Sequence, residues 1–155
     1  MSIRSINTPC IGLCSTVYGD LVCRGCKRFH HEVVGWNAQN ILEQQRIRQR
    51  LDDLLVQAMQ SRFQIFDVSL LQQQLARREM IFHKNRSPYC SAYPLLVKGA
   101  RFIQRLQAYG LAVVQEHQGK ELWVLLTEVD RVFFQSSEIH YQQHCAGLRA
   151  VSSDL

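Results

Sequence analysis

No stretch of this 155-residue chain approaches the roughly 20 consecutive apolar residues that a membrane-spanning helix needs. Its opening residues, MSIRSINTPC, lack the apolar segment of a secretion signal, so a cytosolic location is the expectation. Several enzyme signatures are missing as well. There is no G-x-S-x-G, no phosphate-binding glycine-rich loop and no dinucleotide fingerprint. The chain has neither an internal repeat nor a low-complexity segment, and its Gln-rich patches read as helix surface. Acidic residues are scarce in the middle: residues 61–110 carry 2 against 8 basic side chains, whereas residues 111–155 carry 6 against 3. A basic middle of this size fits an anionic partner and also fits many proteins that bind none.

Hydrophobic content of 46% and charged content of 20% describe a globular chain with a net charge of +5. The concentrated feature is cysteine. Cys10, Cys14, Cys23 and Cys26 lie in TPCIGLCSTVYGDLVCRGCKRF with the spacing C-x3-C-x8-C-x2-C. Each close pair can bite a metal from one turn, and the loop between them is just long enough to bring both pairs to one centre. Glycine between ligands lets backbone N–H groups approach thiolate sulfur without a Cβ in the way. Disulfides need an oxidising compartment, and in a reduced one such clusters more often hold metal. Cys90 and Cys145 stand apart and read as buried or half-buried free thiols.

After the cysteines, HHEVVGW reads as a short helix, with Asn37 as the cap of a long one through Ile47, Leu51, Leu54, Leu55 and Ala58. Arg46, Arg48 and Arg50 flank that stripe, with Asp52 and Asp53 in reach for surface ion pairs. Asp67 caps a second helix bearing Leu71 and Leu75. Residues 83–93 read as a loop, and a third helix is expected from Pro94 to the residue before Gly110. On that helix Lys98, Arg101 and Arg105 would share one basic face, the candidate nucleic-acid-binding surface. The segments LAVVQEH and KELWVLL read as a β-hairpin turning at Gln118-Gly119, and Thr127 as the cap of a last helix through Val129, Val132, Phe133 and Ile139. Helices followed by a hairpin have the order of a winged-helix arrangement, an order shared by many unrelated small domains.

The expected fold is therefore α+β and mostly helical. A four-cysteine metal-binding module with the long helix would occupy residues 1–60, a helical domain with one β-hairpin 61–146, and a loose tail 147–155. Trp36 reads as the module's core anchor. Arg24, Lys27 and Arg28 either offset the negative charge of a thiolate site or simply solubilise the surface. His30 and His31 are spare donors beside a complete four-cysteine set. His140 and His144, four apart beside Cys145, have chelating spacing, but no Glu follows the first His, so packing or surface histidines are the plainer reading.

SINTPCIGLC at 5–14, LVCRGCKR at 21–28, Glu32, Trp36 and the helix carrying Glu43 and Arg46 resemble the DUF1289 family, small bacterial proteins labelled predicted iron–sulfur proteins. The resemblance covers about residues 6–56 and implies that Cys10, Cys14, Cys23 and Cys26 are the metal ligands. It names no reaction, substrate or partner. All-thiolate ligation suits both Zn2+ and an iron–sulfur cluster, and the spacing matches neither the bacterial nor the plant-type ferredoxin pattern. Four protein ligands leave no open position for catalysis. The expectation is a non-enzymatic metal-binding protein that engages a protein or nucleic acid; the alternative is an iron–sulfur redox or sensing protein.

Overall fold

The computed structural model describes residues 8–12 and 14–153, the last eight of these by backbone alone. In order, the elements are α1 (His30–Gly35), α2 (Ile41–Gln60), β1 (Phe63–Ile65), α3 (Val68–Arg77), α4 (Pro88–Gly99), β2 (Leu111–Val113) and α5 (Leu122–Ser153). Short 3-10 turns occupy Ser15–Tyr18, Trp36–Ala38, Leu106–Tyr109 and Gln115–His117. The fold is α+β and mostly helical. Two compact units form, Met1–Leu51 with Phe133–Leu155, and Asp52–Val132. The division falls inside α2 and inside α5, whereas the sequence reading divides the chain at 60/61.

The long helix forms where its periodicity places it. Ile47, Leu51, Leu55 and Ala58 are buried and Leu54 is half-buried. Its cap is Asn40, however, not Asn37: the Asn40 side-chain oxygen accepts from the Glu43 N–H at 2.8 Å. Asn37 lies within the preceding 3-10 turn. The flanking charges also find distant partners. Asp52 accepts two bonds from Arg86 at 2.7 and 2.8 Å, and Arg50 turns to Glu32.

Unit Asp52–Val132 holds the sheet. Asp67 caps α3 as its spacing predicts, accepting from the Leu70 N–H at 3.2 Å, and Leu71 and Leu75 are buried. β1 pairs antiparallel with β2 in the register Phe63↔Val113, Gln64↔Ala112, Ile65↔Leu111. The Tyr89 hydroxyl accepts from Ile65 N–H and donates to Phe63 C=O on the edge of β1 away from β2. Gly110 ends the turn before β2 with φ +77, and its carbonyl accepts from both Phe66 and Asp67 N–H. A Cβ at Gly110 would lie 2.0 Å from the Asp67 carbonyl oxygen, so only glycine fits.

Several expectations differ from the structure. The two-stranded sheet exists, but KELWVLL is not its second strand. That segment opens α5, because the buried series Leu125, Val129, Phe133 and Ser137 continues at helical spacing past it. The five-residue apolar run LWVLL looks the same in a strand and a buried helix, and only its continuation separates them. Among the described residues no hairpin follows β2, and the winged-helix order is absent. Thr127 accordingly caps nothing: its hydroxyl donates back to the Trp123 carbonyl within the helix.

The helix expected from Pro94 begins at Pro88, capped by Ser87, carries Pro94 inside it and stops at Gly99. Proline at the first position has no N–H to waste, so Ser87-Pro88 starts a helix where a loop was expected. Lys98 is in the last turn of α4, Arg101 in the turn beyond, and Arg105 just before the Leu106–Tyr109 turn. The single basic helix face does not exist. Finally, α5 runs to Ser153 through most of the segment read as a loose tail; residues 154–155 lie outside the described ones.

Candidate metal centre

The second cysteine pair sits in a tight backbone hairpin. Val22 and Phe29 form an antiparallel bridge, Cys23 N–H donates to Arg28 C=O at 2.8 Å, and Lys27 N–H donates to Cys23 C=O at 2.8 Å. The chain turns back through Lys27, whose φ of 66° is left-handed, a conformation that costs a non-glycine residue roughly 1 kcal/mol. This turn aims backbone N–H groups at sulfur. Burial raises the Cys23 thiol pKa, but backbone hydrogen bonds from Cys26, Ser15 and Gly25 outweigh it and bring the thiol down to about 7.

Ser15 connects the two pairs. It directly follows Cys14, its backbone bonds the Cys23 sulfur, and its hydroxyl accepts from Arg24 N–H at 2.8 Å. In the first pair, Gly12 has φ +91 and its N–H donates to Cys10 Sγ at 3.3 Å. Cys14 Sγ lies 3.0 Å from the buried Thr16 hydroxyl. Cys10 is exposed, Cys14 half-buried, and Cys23 and Cys26 buried; all are free thiols. Among the described residues no three His, Cys, Asp or Glu side chains are gathered to hold an ion. The donor set nonetheless fits a soft metal: reduced thiols, two of them buried and supplied with N–H donors.

The cations beside the pair are of two kinds. Arg24 is a surface residue, 71% exposed, paired with Asp20 and lying over the Phe134 ring. Lys27 and Arg28 are each only 3% exposed. Lys27 Nζ donates to Gly25 C=O at 3.0 Å. Arg28 Nε donates to Cys26 Sγ at 3.2 Å, and its guanidinium lies 5.0 Å from the centre of the Trp36 ring. Burial pushes the Cys26 thiol up, with the Arg28 hydrogen bond working against it. Among the described residues Arg28 makes no ion pair with a carboxylate, so the sulfur is its anionic partner once ionised.

Trp36 is buried, as its reading as the module's core anchor predicts, and its carbonyl accepts from Gln44 Nε2 at 2.8 Å. Val22, Phe29 and Cys145 form a buried cluster with Phe134 and Tyr141 against it. His140 stacks on Phe29 and lies 4.3 Å from His144 between ring centres, while His30 and His31 are exposed. Burial, with His144 and Arg50 nearby, holds His140 below its ordinary pKa. Cys90 is buried, and both lone cysteines are thus core thiols. The contact between Glu32 and Arg50 is one that the sequence spacing does not give. Glu32 Oε1 accepts from Phe29 N–H at 2.9 Å, a local capping pattern legible in sequence, but Arg50 is 18 residues away and no local signal joins it.

Residues 8–55 match the family model described as Protein of unknown function (DUF1289). This DUF1289 segment contains all four clustered cysteines, Glu32, Trp36 and Arg50, and ends within α2. The remaining residues lie outside the match. No curated protein and no solved structure matches the chain. Among the described residues, no helix is long and apolar enough to cross a membrane.

Proposed function

We propose that Cys10, Cys14, Cys23 and Cys26 of the DUF1289 segment hold one metal centre, and that this centre organises a non-enzymatic interaction module. The observation that carries the proposal is the buried Arg28 bonded to Cys26 Sγ. A buried cation without an anion is costly, by several kcal/mol at order of magnitude, and a neutral thiol does not offset it. Four thiolates around Zn2+ carry a net charge near −2 and would do so. The hydrogen bonds onto Cys23 support the same reading, since N–H donors stabilise thiolate. Metal binding would draw the exposed Cys10 toward the buried pair, so part of the binding free energy becomes ordering of the loop. A complete set of four protein ligands leaves no position for substrate, which favours a structural role over hydrolytic catalysis.

An iron–sulfur redox or sensing centre is the second reading. It is favoured by Cys10, whose exposure leaves one edge of the centre open to solvent and to a redox partner. Absorption spectroscopy and metal and sulfide analysis of anaerobically purified protein separate the two. A colourless protein with one zinc supports the structural reading, and broad visible absorbance with iron and sulfide supports the second. Cys23→Ser should lose most of the metal, while Cys90→Ser and Cys145→Ser keep it. Full metal content in Cys23→Ser would refute a four-cysteine centre of either kind.

A further inference from the structure

Unit Asp52–Val132 carries a cleft of about 280 Å3 whose lining combines apolar, aromatic and cationic groups. The buried Leu95 lines it together with the half-buried Met80 and Ile103. Phe102 lines it too and is 81% exposed. Tyr109 is the second aromatic. Its hydroxyl accepts from Arg78, which is itself tied to Gln74, so the tyrosine and the guanidinium are held together. Lys98 completes the lining, and no side chain at Gly99 obstructs it.

Charge around the cleft is mostly positive. Lys98, Arg101 and Arg105 are exposed and make no ion pair among the described residues, unlike Arg62 and Arg86, which are committed to Glu128 and Asp52. Glu79 is the sole acidic residue between Asp67 and Gly110. The break in α4 after Gly99 is what places Phe102 between Arg101 and Arg105 on an exposed turn. An apolar cleft with an exposed aromatic, Lys98 in its lining and Arg101 and Arg105 on either side of Phe102 in sequence suits a partner that is flat, aromatic and anionic at short intervals.

We infer that this cleft binds single-stranded nucleic acid, with a base stacked on Phe102 in the cleft shared with Tyr109 and phosphates on Lys98, Arg101 and Arg105. A single strand is required because a duplex keeps its base faces stacked on one another, where an exposed phenyl ring cannot reach them. Stacking of this kind tolerates any base, and phosphate contacts carry no sequence information, so binding is not sequence-specific. The inference rests on the interaction half of the function proposed above and is independent of its metal half.

The test is fluorescence anisotropy with a labelled strand of about 12 thymidylates, within the site sizes of such proteins, on full-length chain whose metal content is measured in the same preparation. Binding at low salt should weaken as salt rises, with a log–log slope of roughly −2 for three phosphates on a single strand. Phe102→Ala, an exposed position whose loss spares the core, should weaken binding roughly tenfold while leaving that slope unchanged. Lys98→Glu with Arg101→Glu and Arg105→Glu should abolish binding. No binding at low salt by metal-replete protein overturns the inference and leaves the metal centre standing. Equal affinity for a duplex, an unaltered affinity in Phe102→Ala, or equal competition by polyglutamate also overturns it. Binding by protein devoid of metal supports it while removing the metal reading.

Discussion

Arg50 grips Glu32 with both ends of its guanidinium, NH1 2.7 Å from Oε2 and NH2 2.5 Å from Oε1, while the same plane lies 4.0 Å from the centre of the Phe29 ring. Glu32 Oε1 also accepts the Phe29 N–H. One buried carboxylate therefore joins the residue leaving the cysteine hairpin to the start of α1 and to α2. Two-point arginine–carboxylate geometry gives direction as well as attraction.

Removing one member leaves the other charge largely buried. The side chains are 16% and 7% exposed, so Glu32→Gln or Arg50→Ala should each cost about 3 kcal/mol. Glu32→Gln with Arg50→Met should recover part of that loss, because no charge is then stranded. Urea unfolding of the three variants checks this, and a double variant less stable than both singles would contradict it.

Arg28 should matter for metal retention more than for packing. Arg28→Met keeps much of the contact with Trp36 but deletes the donor and the charge at Cys26 Sγ. Outer-sphere partners of this kind are worth roughly 10- to 100-fold in metal affinity. Competition with a chromogenic chelator should show Arg28→Met releasing metal more readily, with Arg28→Lys between it and the natural protein. Equal retention in all three would mean that the arginine serves packing alone.

Gly110→Ala should be severe. The new methyl group would fall 2.0 Å from the Asp67 carbonyl oxygen at a backbone angle that side chains rarely adopt, and relief requires the junction of α3 with the sheet to move. The expected loss exceeds about 2 kcal/mol, visible as a lowered thermal midpoint. By contrast Gly119→Ala, also at positive φ, meets no atom within 4 Å and should cost less.

Glu128 supplies a pH signature. Hydrogen bonds from Lys120 and then Arg62 lower its pKa from 4.5 to about 2. A carboxyl lowered on folding stabilises the native state fully above its unfolded value and loses that contribution as pH falls toward 2. Glu128→Gln should therefore be less stable than the natural chain at neutral pH, and the gap should narrow below about pH 4.5 and close near pH 2. A gap that stays constant across that range would assign the effect to shape rather than charge.

Much of the local structure could be read from local spacing. Ile47 to Ala58 repeat at helical intervals, Asp67 precedes the Leu71 and Leu75 face, and Trp36 follows the cysteines as an apolar anchor; each is buried or capped as that spacing predicts. Where local signals competed, they misled. Asn37 and Asn40 are equally good caps by type, and hydrogen bonding chose the second. Pro94 resembles a helix start, but Ser87-Pro88 does so too, and the earlier one won.

By itself the sequence determined the helical stripes, the cysteine spacing and the uneven charge, because each depends on residues within a few turns of one another. Tertiary structure decided what those residues meet. Three-residue strands 46 residues apart in sequence pair through backbone groups that carry no residue signature, so β1 could not name β2. Arg50 found Glu32 rather than Asp53, and Arg28 went inside to a cysteine sulfur instead of outward to water. Burial and long-range partners follow from how the chain closes on itself, and the same arginine costs little on a surface and several kcal/mol, in order of magnitude, inside without an anion.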